Sequence, residues 1–162
     1  MAISSTRPNS LPDLQRVLVV GSGGREHALS WALQRSSELE TVWITPGNAG
    51  SGQHGLDLAE TDSRGLIDHC LNNAVDLVVV GPEAPLAAGV ADALRQAGIA
   101  VFGPGADGAQ LEASKAWAKQ LMREAGIPTA GHWAVQTEAE ALAVLNQVQR
   151  PLVVKADGLA AG

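Results

Sequence analysis

Short apolar runs alternate with stretches of helical periodicity from residue 16 onward. Four runs rich in β-branched residues predict strands, at 17–20, 42–45, 77–80 and 99–102. The stretches between them predict helices, at 25–36, 63–73 and 86–97. Alternating strands and helices are typical of a parallel sheet covered by helices. We therefore predict an α/β fold class with a Rossmann-like parallel sheet.

The pattern changes near residues 103–108, where a glycine-rich turn leads into a longer helical stretch. Further elements are predicted there, namely helices at 109–125 and 137–149 and a strand at 151–156. We expect two domains, at 16–104 and 105–162. The last strand runs into a second glycine-rich segment with nothing after it to complete a sheet. We therefore expect the second domain to be truncated.

Residues 1–15 contain two prolines and no apolar run. This composition predicts a disordered leader rather than a signal peptide or a membrane span. A serine-rich transit peptide is the alternative, although Arg7 is the sole basic residue before Arg16 and no amphipathic helix is evident. We therefore expect a cytoplasmic protein.

The composition is that of a globular protein, and it limits the expected partners. The chain is 46% apolar and 17% charged, with a formal net charge of −6. Its 11 basic residues form no cluster, and so we expect neither a nucleic acid nor a membrane as partner. The lone Cys70 lies in a helical pattern, which excludes a disulfide framework and a Cys-rich zinc site. We expect it to be an inert, partly buried thiol.

Three of the predicted strands end in turns rich in glycine or proline. These turns are Gly21-Ser-Gly-Gly24, Pro46-Gly-Asn-Ala-Gly50 and Gly81-Pro-Glu-Ala-Pro85. Because the carboxyl ends of parallel strands meet at one edge of the sheet, we expect the turns to form a single ligand site. In the first turn, glycines allow close approach to a ligand, and the N–H groups of the following helix are suited to an anion.

A dinucleotide is disfavoured as the ligand of the first turn. The dinucleotide fingerprint requires a third glycine where this chain has Glu26. It also requires an acidic residue at the end of the next strand, which here ends in Thr45 and Pro46. A nicotinamide cofactor is therefore not expected.

Six separated motifs occur in a distinctive order along residues 16–162. They are Gly21-Ser-Gly-Gly-Arg-Glu-His27, Pro46-Gly-Asn-Ala-Gly50, Val80-Gly-Pro-Glu-Ala-Pro-Leu86, Phe102-Gly-Pro104, Gln110-Leu-Glu-Ala-Ser-Lys115 and Val154-Lys-Ala-Asp-Gly-Leu-Ala-Ala-Gly162. Together they resemble the phosphoribosylamine–glycine ligase (glycinamide ribonucleotide synthetase) family of ATP-grasp enzymes. The resemblance implies a pre-ATP-grasp domain at 16–104 and the beginning of an ATP-grasp domain after it.

The resemblance also implies a reaction. Members of the family join glycine to 5-phosphoribosylamine in purine biosynthesis, with ATP and Mg²⁺, through a glycyl phosphate. In full-length members the Mg²⁺ ligands follow the last of these motifs, and so we assign neither a metal ligand nor a catalytic residue within the 162 residues. We expect this chain to be inactive alone.

The resemblance implies substrate-binding residues in the three strand-end turns. They are Gly23, Gly24, Arg25, Glu26, Asn48, Ala49, Gly50, Pro82 and Glu83. The first turn would hold the ribose 5-phosphate or the adjoining sugar, Asn48 a ribose hydroxyl, and Glu83 the amine or sugar hydroxyls. The alternatives are a tight turn with Arg25 and Glu26 in solvent, an Asn48 that bonds its own backbone, and a Glu83 that caps a helix. His27 is expected either to contact ligand or to brace the turn.

A second set of residues resembles the nucleotide-phosphate site of ATP-grasp enzymes. Lys115 and Lys155 would provide mobile positive charges, and Asp157 and Gly158 would begin a loop over the phosphates. Outside this family, a lone helical lysine such as Lys115 is usually a solvated surface residue. Four tryptophans, Trp31, Trp43, Trp117 and Trp133, are expected to pack rather than to stack on a base, with Trp43 in the core.

Two other functions remain open. One is another ATP-grasp ligase, such as a relative of the biotin or purine carboxylases that uses bicarbonate. The other is a non-catalytic module that binds a sugar phosphate.

Overall fold

The computed structural model describes residues 13–148 and 150–159. Four parallel strands form one sheet in the order β2-β1-β3-β4. The strands are β1 (Arg16–Gly21), β2 (Thr41–Pro46), β3 (Leu77–Val80) and β4 (Val101–Phe102). The helices are α1 (Gly24–Leu33), α2 (Ser63–Asn72), α3 (Glu83–Ala87), α4 (Val90–Gln96), α5 (Ala106–Ala113), α6 (Lys115–Glu124) and α7 (Glu138–Gln147), with a 3₁₀ turn at Gly52–His54. The predicted α/β fold class is confirmed.

The central strand β1 alternates its side chains between two apolar clusters, as strand geometry requires. Leu18 and Val20 lie in the larger cluster, with residues of β3 and of helices α2 to α5. Val19 faces the other way and packs with Val42 and Ile44 of β2. Leu33 at the end of α1 packs against this smaller cluster. The sheet is therefore covered on both faces, and β1 is its most buried strand.

Two of the predicted helices are each divided in the structure. The stretch predicted as 86–97 becomes α3 and α4, because Gly89 between them takes a left-handed conformation with φ of 83°. The stretch predicted as 109–125 becomes α5 and α6, because Ser114 between them is extended. The Ser114 hydroxyl then caps α6 by accepting a hydrogen bond from the Trp117 N–H at 3.1 Å.

The strand predicted at 151–156 is wrong. These residues form no strand, and Val153 and Val154 are 81% and 90% exposed. A strand needs a neighbouring backbone to satisfy its N–H and C=O groups, and no described strand pairs with this segment. Apolar composition alone therefore did not produce the element.

The two parts of the described chain differ sharply in burial. Both apolar clusters consist of residues between 18 and 109, whereas Ala118 is the one buried residue among those described from 114 onward. Several large apolar side chains of the second part are instead exposed, namely Leu121, Ile127, Trp133, Val135, Leu142, Leu145, Val153, Val154 and Leu159. Helix α5 packs against α3. The domain boundary near 103–108 stays a prediction.

The expectations for single residues have mixed outcomes. Cys70 is buried, and desolvation raises the pKa of its thiol to about 11, as an inert thiol requires. Trp43 packs against the larger cluster, as expected. The packing role expected for Trp31 is wrong, because this residue is 57% exposed and lies under the guanidinium of Arg35. Trp117 and Trp133 line an open groove between α6 and α7.

Two further expectations concern a membrane span and the leader at the start of the chain. No helix of the described residues is long and apolar enough to cross a membrane. The predicted leader at 1–15 falls mostly outside the described residues, which begin at Asp13.

His69 on α2 has an environment that favours its neutral form. Its ring meets Trp43 edge to face at 5.2 Å between centroids, and its Nδ1 lies 3.3 Å from the side-chain nitrogen of Asn73. Its Nε2 is buried without a hydrogen-bond partner in the described structure. Desolvation lowers the pKa of His69 below its usual value. A charged imidazolium would therefore be disfavoured in the folded protein.

This environment predicts a pH dependence of stability. The unfolded state binds the His69 proton more readily, so the free energy of unfolding should be highest above about pH 6.5 and fall as the pH drops below it. We expect His69→Phe, which keeps an aromatic ring against Trp43, to reduce that loss. The measurement is urea unfolding of both proteins between pH 7.5 and 5. Parallel curves for the two would contradict the assignment.

Candidate ligand site at the carboxyl ends of the strands

The three predicted turns are joined by hydrogen bonds at one edge of the sheet. The Gly47 N–H donates to the Gly21 carbonyl at 3.2 Å, and the Asn48 side chain donates to the Ser22 carbonyl at 3.0 Å. The Arg25 guanidinium reaches the Gly81 carbonyl at 2.5 Å. The structure thus brings together the turns after β1, β2 and β3, as the sequence predicted.

The carboxyl ends of the paired strands β1 and β3 lie at the centre of this edge, and we call the surface above them the crevice. The chain leaves β1 toward β2 on one side and later forms β3 on the other side, so that β1 and β3 flank a topological switch point. Ligands of open α/β sheets bind at such points. Arg25 spans the crevice from the turn after β1 to the turn after β3. The switch point therefore carries a cationic side chain.

Arg25 is bound to a carboxylate on one side and lies near a second one on the other. Its Nε donates to Glu26 Oε1 at 2.7 Å, and Nη2 lies 3.9 Å from Glu83 Oε2. The hydrogen bond to Glu26 raises the pKa of Arg25; partial burial opposes this rise, and the charges of Glu83 and Glu112 add to it. The Arg25 side chain is still 61% exposed. It can therefore reach a ligand while it is held in place.

Glu26 is buried, which contradicts the solvated alternative considered for it. It is only 3% exposed, and its contact with a substrate stays a prediction. Its Oε2 accepts the N–H of Gly23 at 2.9 Å, because a glutamate at the third helical position can reach back to the N-cap backbone. The Gly23 N–H is thereby occupied. The N–H groups of Gly24 and Arg25, in the first helical turn, have no acceptor within the helix and remain candidates for an anion.

Two glycines of this edge make room for Glu26. A Cβ built on Gly21 would lie 2.2 Å from Glu26 Cγ, and one built on Gly81 would lie 2.3 Å from Glu26 Oε1. Sequence reasoning assigned Gly21, in the first turn, to close approach of a ligand. The sequence contained one signal for this arrangement, since Glu26 stands where the dinucleotide fingerprint has its third glycine. The larger side chain needs space, which Gly21 and Gly81 provide.

In the second turn, the side-chain amide of Asn48 forms hydrogen bonds with the protein backbone. Its Oδ1 accepts from the Gly50 N–H at 2.9 Å, which is the alternative that the sequence left open. Its Nδ2 holds the neighbouring turn through Ser22. A Cβ on Gly50 would lie 2.2 Å from the His27 ring, so His27 packs on this turn and braces it. Ala49 is exposed beside these residues.

In the third turn, Pro82 precedes α3 and Glu83 is its first residue. The N-cap of α3 has no side-chain hydrogen bond, so the capping role considered for Glu83 is not observed. The Glu83 side chain is 40% exposed and faces Arg25 across the crevice. It is therefore the accessible carboxylate of the site.

The predicted nucleotide residues lie together at the start of α6. Asp157 Oδ1 accepts from the Lys115 N–H at 2.6 Å and the Ala116 N–H at 3.2 Å, and Oδ2 accepts from the Ser114 hydroxyl at 2.9 Å. The hydrogen bond from Ser114 lowers the pKa of Asp157, with further lowering by these backbone N–H groups. The contact brings the 155–158 segment to Lys115, across about forty residues of chain. Asp157 thus faces the helix.

The two further residues of this set lie on either side of Asp157, and of these Lys155 is exposed. Lys155 precedes Asp157 by two residues, and Gly158 follows it with φ of 118°, a conformation that favours glycine. Sequence reasoning missed Ser114, although a serine immediately before a helical pattern is a helix-start signal. Among the described residues, no group of three or more His, Cys, Asp or Glu side chains could hold a metal ion.

Solved structures with a similar fold include biotin carboxylase domains. The biotin carboxylase domain of a single-chain bacterial carboxylase matches 84% of this chain and 34% of its own, with a TM-score of 0.56 at 20% identity. The corresponding domain of the 2-oxoglutarate carboxylase from Hydrogenobacter thermophilus matches 85% of this chain and 34% of its own, with a TM-score of 0.61 at 15% identity. At these identities the likeness shows the fold alone, an α/β fold.

Sequence comparison identifies the family within that class. The family model for the phosphoribosylglycinamide synthetase N domain matches residues 15–112, and the model for its ATP-grasp (A) domain matches 113–162. The chain belongs to the phosphoribosylglycinamide synthetase family.

Curated relatives agree with this assignment. Phosphoribosylamine–glycine ligase of Nostoc sp. is 55% identical over 152 residues, which cover 91% of this chain and 36% of the relative. The enzymes of the same name from Allochromatium vinosum and Escherichia coli K12 are 49% and 47% identical, each over 91% of this chain and 35% of the relative. The chain thus spans about a third of the length of these relatives.

Proposed function

We propose that this chain is part of an enzyme that uses ATP to ligate glycine to 5-phosphoribosylamine, giving glycinamide ribonucleotide for purine biosynthesis. The observation that carries the proposal is the crevice between β1 and β3, where three joined turns surround Arg25 in a chain of this family. We place the enzyme in the cytoplasm, with small-molecule substrates rather than a nucleic acid or a membrane as partners. A net charge of −6 without a basic cluster supports that choice.

The reaction needs activation of the glycine carboxylate, because a carboxylate is a poor electrophile and its oxygen a poor leaving group. Transfer of a phosphoryl group from ATP gives glycyl phosphate, which the amine of phosphoribosylamine attacks. The new C–N bond forms as phosphate leaves. Such a transfer requires cations that offset charge on the phosphoryl oxygens. The enzyme therefore needs a cationic nucleotide site beside an amine site.

The strand-end crevice fits the phosphoribosylamine. Arg25 and the free N–H groups of Gly24 and Arg25 can donate to phosphate or sugar oxygens. The exposed carboxylate of Glu83 can accept from the amine or from ribose hydroxyls. Asn48, Ala49, Gly50 and Pro82 shape the surrounding turns.

The start of α6 fits the nucleotide phosphates. Lys115 and Lys155 would contribute charge, and the segment from Gly158 onward would cover the phosphates, with Asp157 holding that segment to the helix. The described residues provide no metal cluster, so they do not fit Mg²⁺ by themselves. We propose that the Mg²⁺ ligands belong to the part of the enzyme that this chain does not span, and that the chain alone is inactive.

Binding of ribose 5-phosphate tests the crevice. We expect saturable binding by calorimetry, and a loss of about tenfold or more in Arg25→Ala, because a hydrogen bond to a charged group contributes about 1.5–3 kcal/mol. Arg64→Ala, which removes a positive charge from the exposed surface of α2, is the matched control and should bind normally. NADH should not bind. Absence of ribose 5-phosphate binding, or equal binding of NADH, would count against the proposed site.

The nature of the second substrate separates the proposal from a bicarbonate-dependent carboxylase. In the full-length enzyme, formation of ADP should require glycine and phosphoribosylamine. Dependence on bicarbonate instead would support the carboxylase, and binding without any ADP formation would support a non-catalytic module.

A further inference from the structure

Glu26 combines a buried carboxylate with an exposed partner. The residue is 3% exposed, whereas the side chain of Arg25 is 61% exposed. Burying a carboxylate costs free energy unless it is well hydrogen-bonded. Here the Gly23 N–H at 2.9 Å and the Arg25 Nε–H at 2.7 Å compensate. Among the described residues, the charged partner of this buried carboxylate is therefore the Arg25 side chain at the site.

The Glu26 side chain is fixed between the two walls of the crevice. On one wall is Gly21, at the end of β1, and on the other is Gly81, just after β3. A Cβ on either glycine would overlap Glu26 atoms at 2.2 to 2.3 Å. The carboxylate therefore has little room to move, and a group bound to it is held at a defined place relative to both walls.

The Arg25 guanidinium is held at two points. Its Nε donates to Glu26 on the β1 side, and its Nη2 donates to the Gly81 carbonyl at 2.5 Å on the β3 side. A guanidinium has five N–H donors in a rigid plane, so three of them remain for a ligand. Their directions are set before a ligand arrives.

We propose that Glu26 is a positioning residue, which fixes the guanidinium of Arg25 across the crevice so that its free N–H groups meet the phosphate or sugar oxygens of the ligand in a set orientation. The inference rests on the proposed function, because it names how that site recognises a sugar phosphate. Glu26 itself touches no ligand in this scheme.

Whether Glu26→Gln strengthens or weakens binding of ribose 5-phosphate distinguishes positioning of Arg25 from simple neutralisation of its charge. Glu26→Gln keeps the volume between the glycines but removes the negative charge. If Glu26 only neutralised Arg25, its removal would strengthen binding of a phosphate. If Glu26 positions Arg25, binding should weaken about fivefold to tenfold, since the ligand must then immobilise a free arginine side chain. A tighter or unchanged dissociation constant for ribose 5-phosphate would overturn the proposal.

Glu60→Gln is the matched control. Glu60 accepts a hydrogen bond from the Ser22 hydroxyl at 2.8 Å in the same turn, but it does not contact Arg25. Glu60→Gln removes the same charge from the same edge of the sheet as Glu26→Gln, but it leaves the contacts of Arg25 intact. We therefore expect the affinity of this variant for ribose 5-phosphate to stay within about twofold of the parent. An equal loss in Glu60→Gln would also overturn the positioning role.

The Arg25 Nε–H resonance gives a readout that needs no ligand. In NMR spectra of the unaltered chain, we expect this proton to be shifted downfield and slow to exchange, because it is hydrogen-bonded to a carboxylate. The signal should be lost to rapid exchange in Glu26→Gln. A retained, protected signal would overturn the proposal. If the unaltered chain binds no ribose 5-phosphate, the proposed function fails while this measurement still decides the positioning.

Arg25→Lys provides a second variant should Glu26→Gln not fold. The change is on an exposed side chain and keeps the charge, but it removes the planar fork. We expect the same fivefold to tenfold loss of affinity from Arg25→Lys alone. Where Glu26→Gln does fold, combining the two substitutions should cause little further loss. Full affinity in Arg25→Lys, or additive losses in the double variant, would contradict positioning of the fork by Glu26.

Discussion

Replacing Gly21 with alanine should lower the free energy of unfolding by about 3–5 kcal/mol. Two causes add. The backbone of Gly21 has φ of 143°, which side chains other than hydrogen rarely allow, and the new methyl group would overlap Glu26 Cγ and Cδ at 2.2 and 2.8 Å. The methyl group cannot easily turn away from Glu26, because Pro82 Cδ would lie 3.0 Å from it. The measurement is urea unfolding followed by far-UV circular dichroism.

Gly24→Ala is the matched control for this prediction. It lies three residues away, at the first position of α1, and a Cβ there meets no atom within 4 Å. Alanine also has the better helix propensity, so stability should stay equal or rise slightly. Similar destabilisation by both substitutions would show that the turn after β1 needs glycine for a reason other than the Glu26 contact.

Replacing Leu18 with alanine should lower the free energy of unfolding by about 3 kcal/mol. Leu18 is fully buried in the central strand β1 and belongs to the larger apolar cluster. Its truncation removes apolar contacts and leaves a cavity that neighbouring strands on both sides cannot easily fill. Urea unfolding of the variant and the parent measures the difference.

A leucine among the residues from 114 onward should contribute much less to the free energy of unfolding. Leu142 in α7 is 51% exposed, so Leu142→Ala should change the free energy of unfolding by less than about 0.5 kcal/mol. Together the two variants test whether the cooperative core is confined to the part of the chain before residue 114. A large effect at Leu142 would show that residues from 114 onward share that core.

Local patterns predicted much of the architecture because each required only neighbouring residues. The apolar runs at β1, β2 and β3 lie in a parallel sheet that is covered on both faces, so they can be recognised without knowledge of their partners. The glycine and proline turns were predictable for the same reason. Where an element depended on distant chain, as with the strand expected at 151–156, the same apolar pattern gave a wrong prediction.

In the candidate site, too, local sequence predicted some features, while others depend on residues that are distant in the chain. The turns that carry Arg25, Asn48 and Glu83 were identified from sequence, because parallel strands bring their carboxyl ends to one edge. The inward direction of Glu26 was not predicted. It depends on the space left by Gly81, which is 55 residues away in the chain.

The sequence by itself determined the family, the alternation of strands and helices up to β4, and the residues that stand at the strand ends. Those properties follow from local periodicity and from motifs of adjacent residues. Only the tertiary structure decided which polar groups remain free for a ligand. Glu26 accepts the Gly23 N–H, which the sequence had assigned to a substrate, and Asp157 accepts the Lys115 N–H and so joins two distant segments. Which acceptor a polar group binds depends on distance in three dimensions rather than on order along the chain.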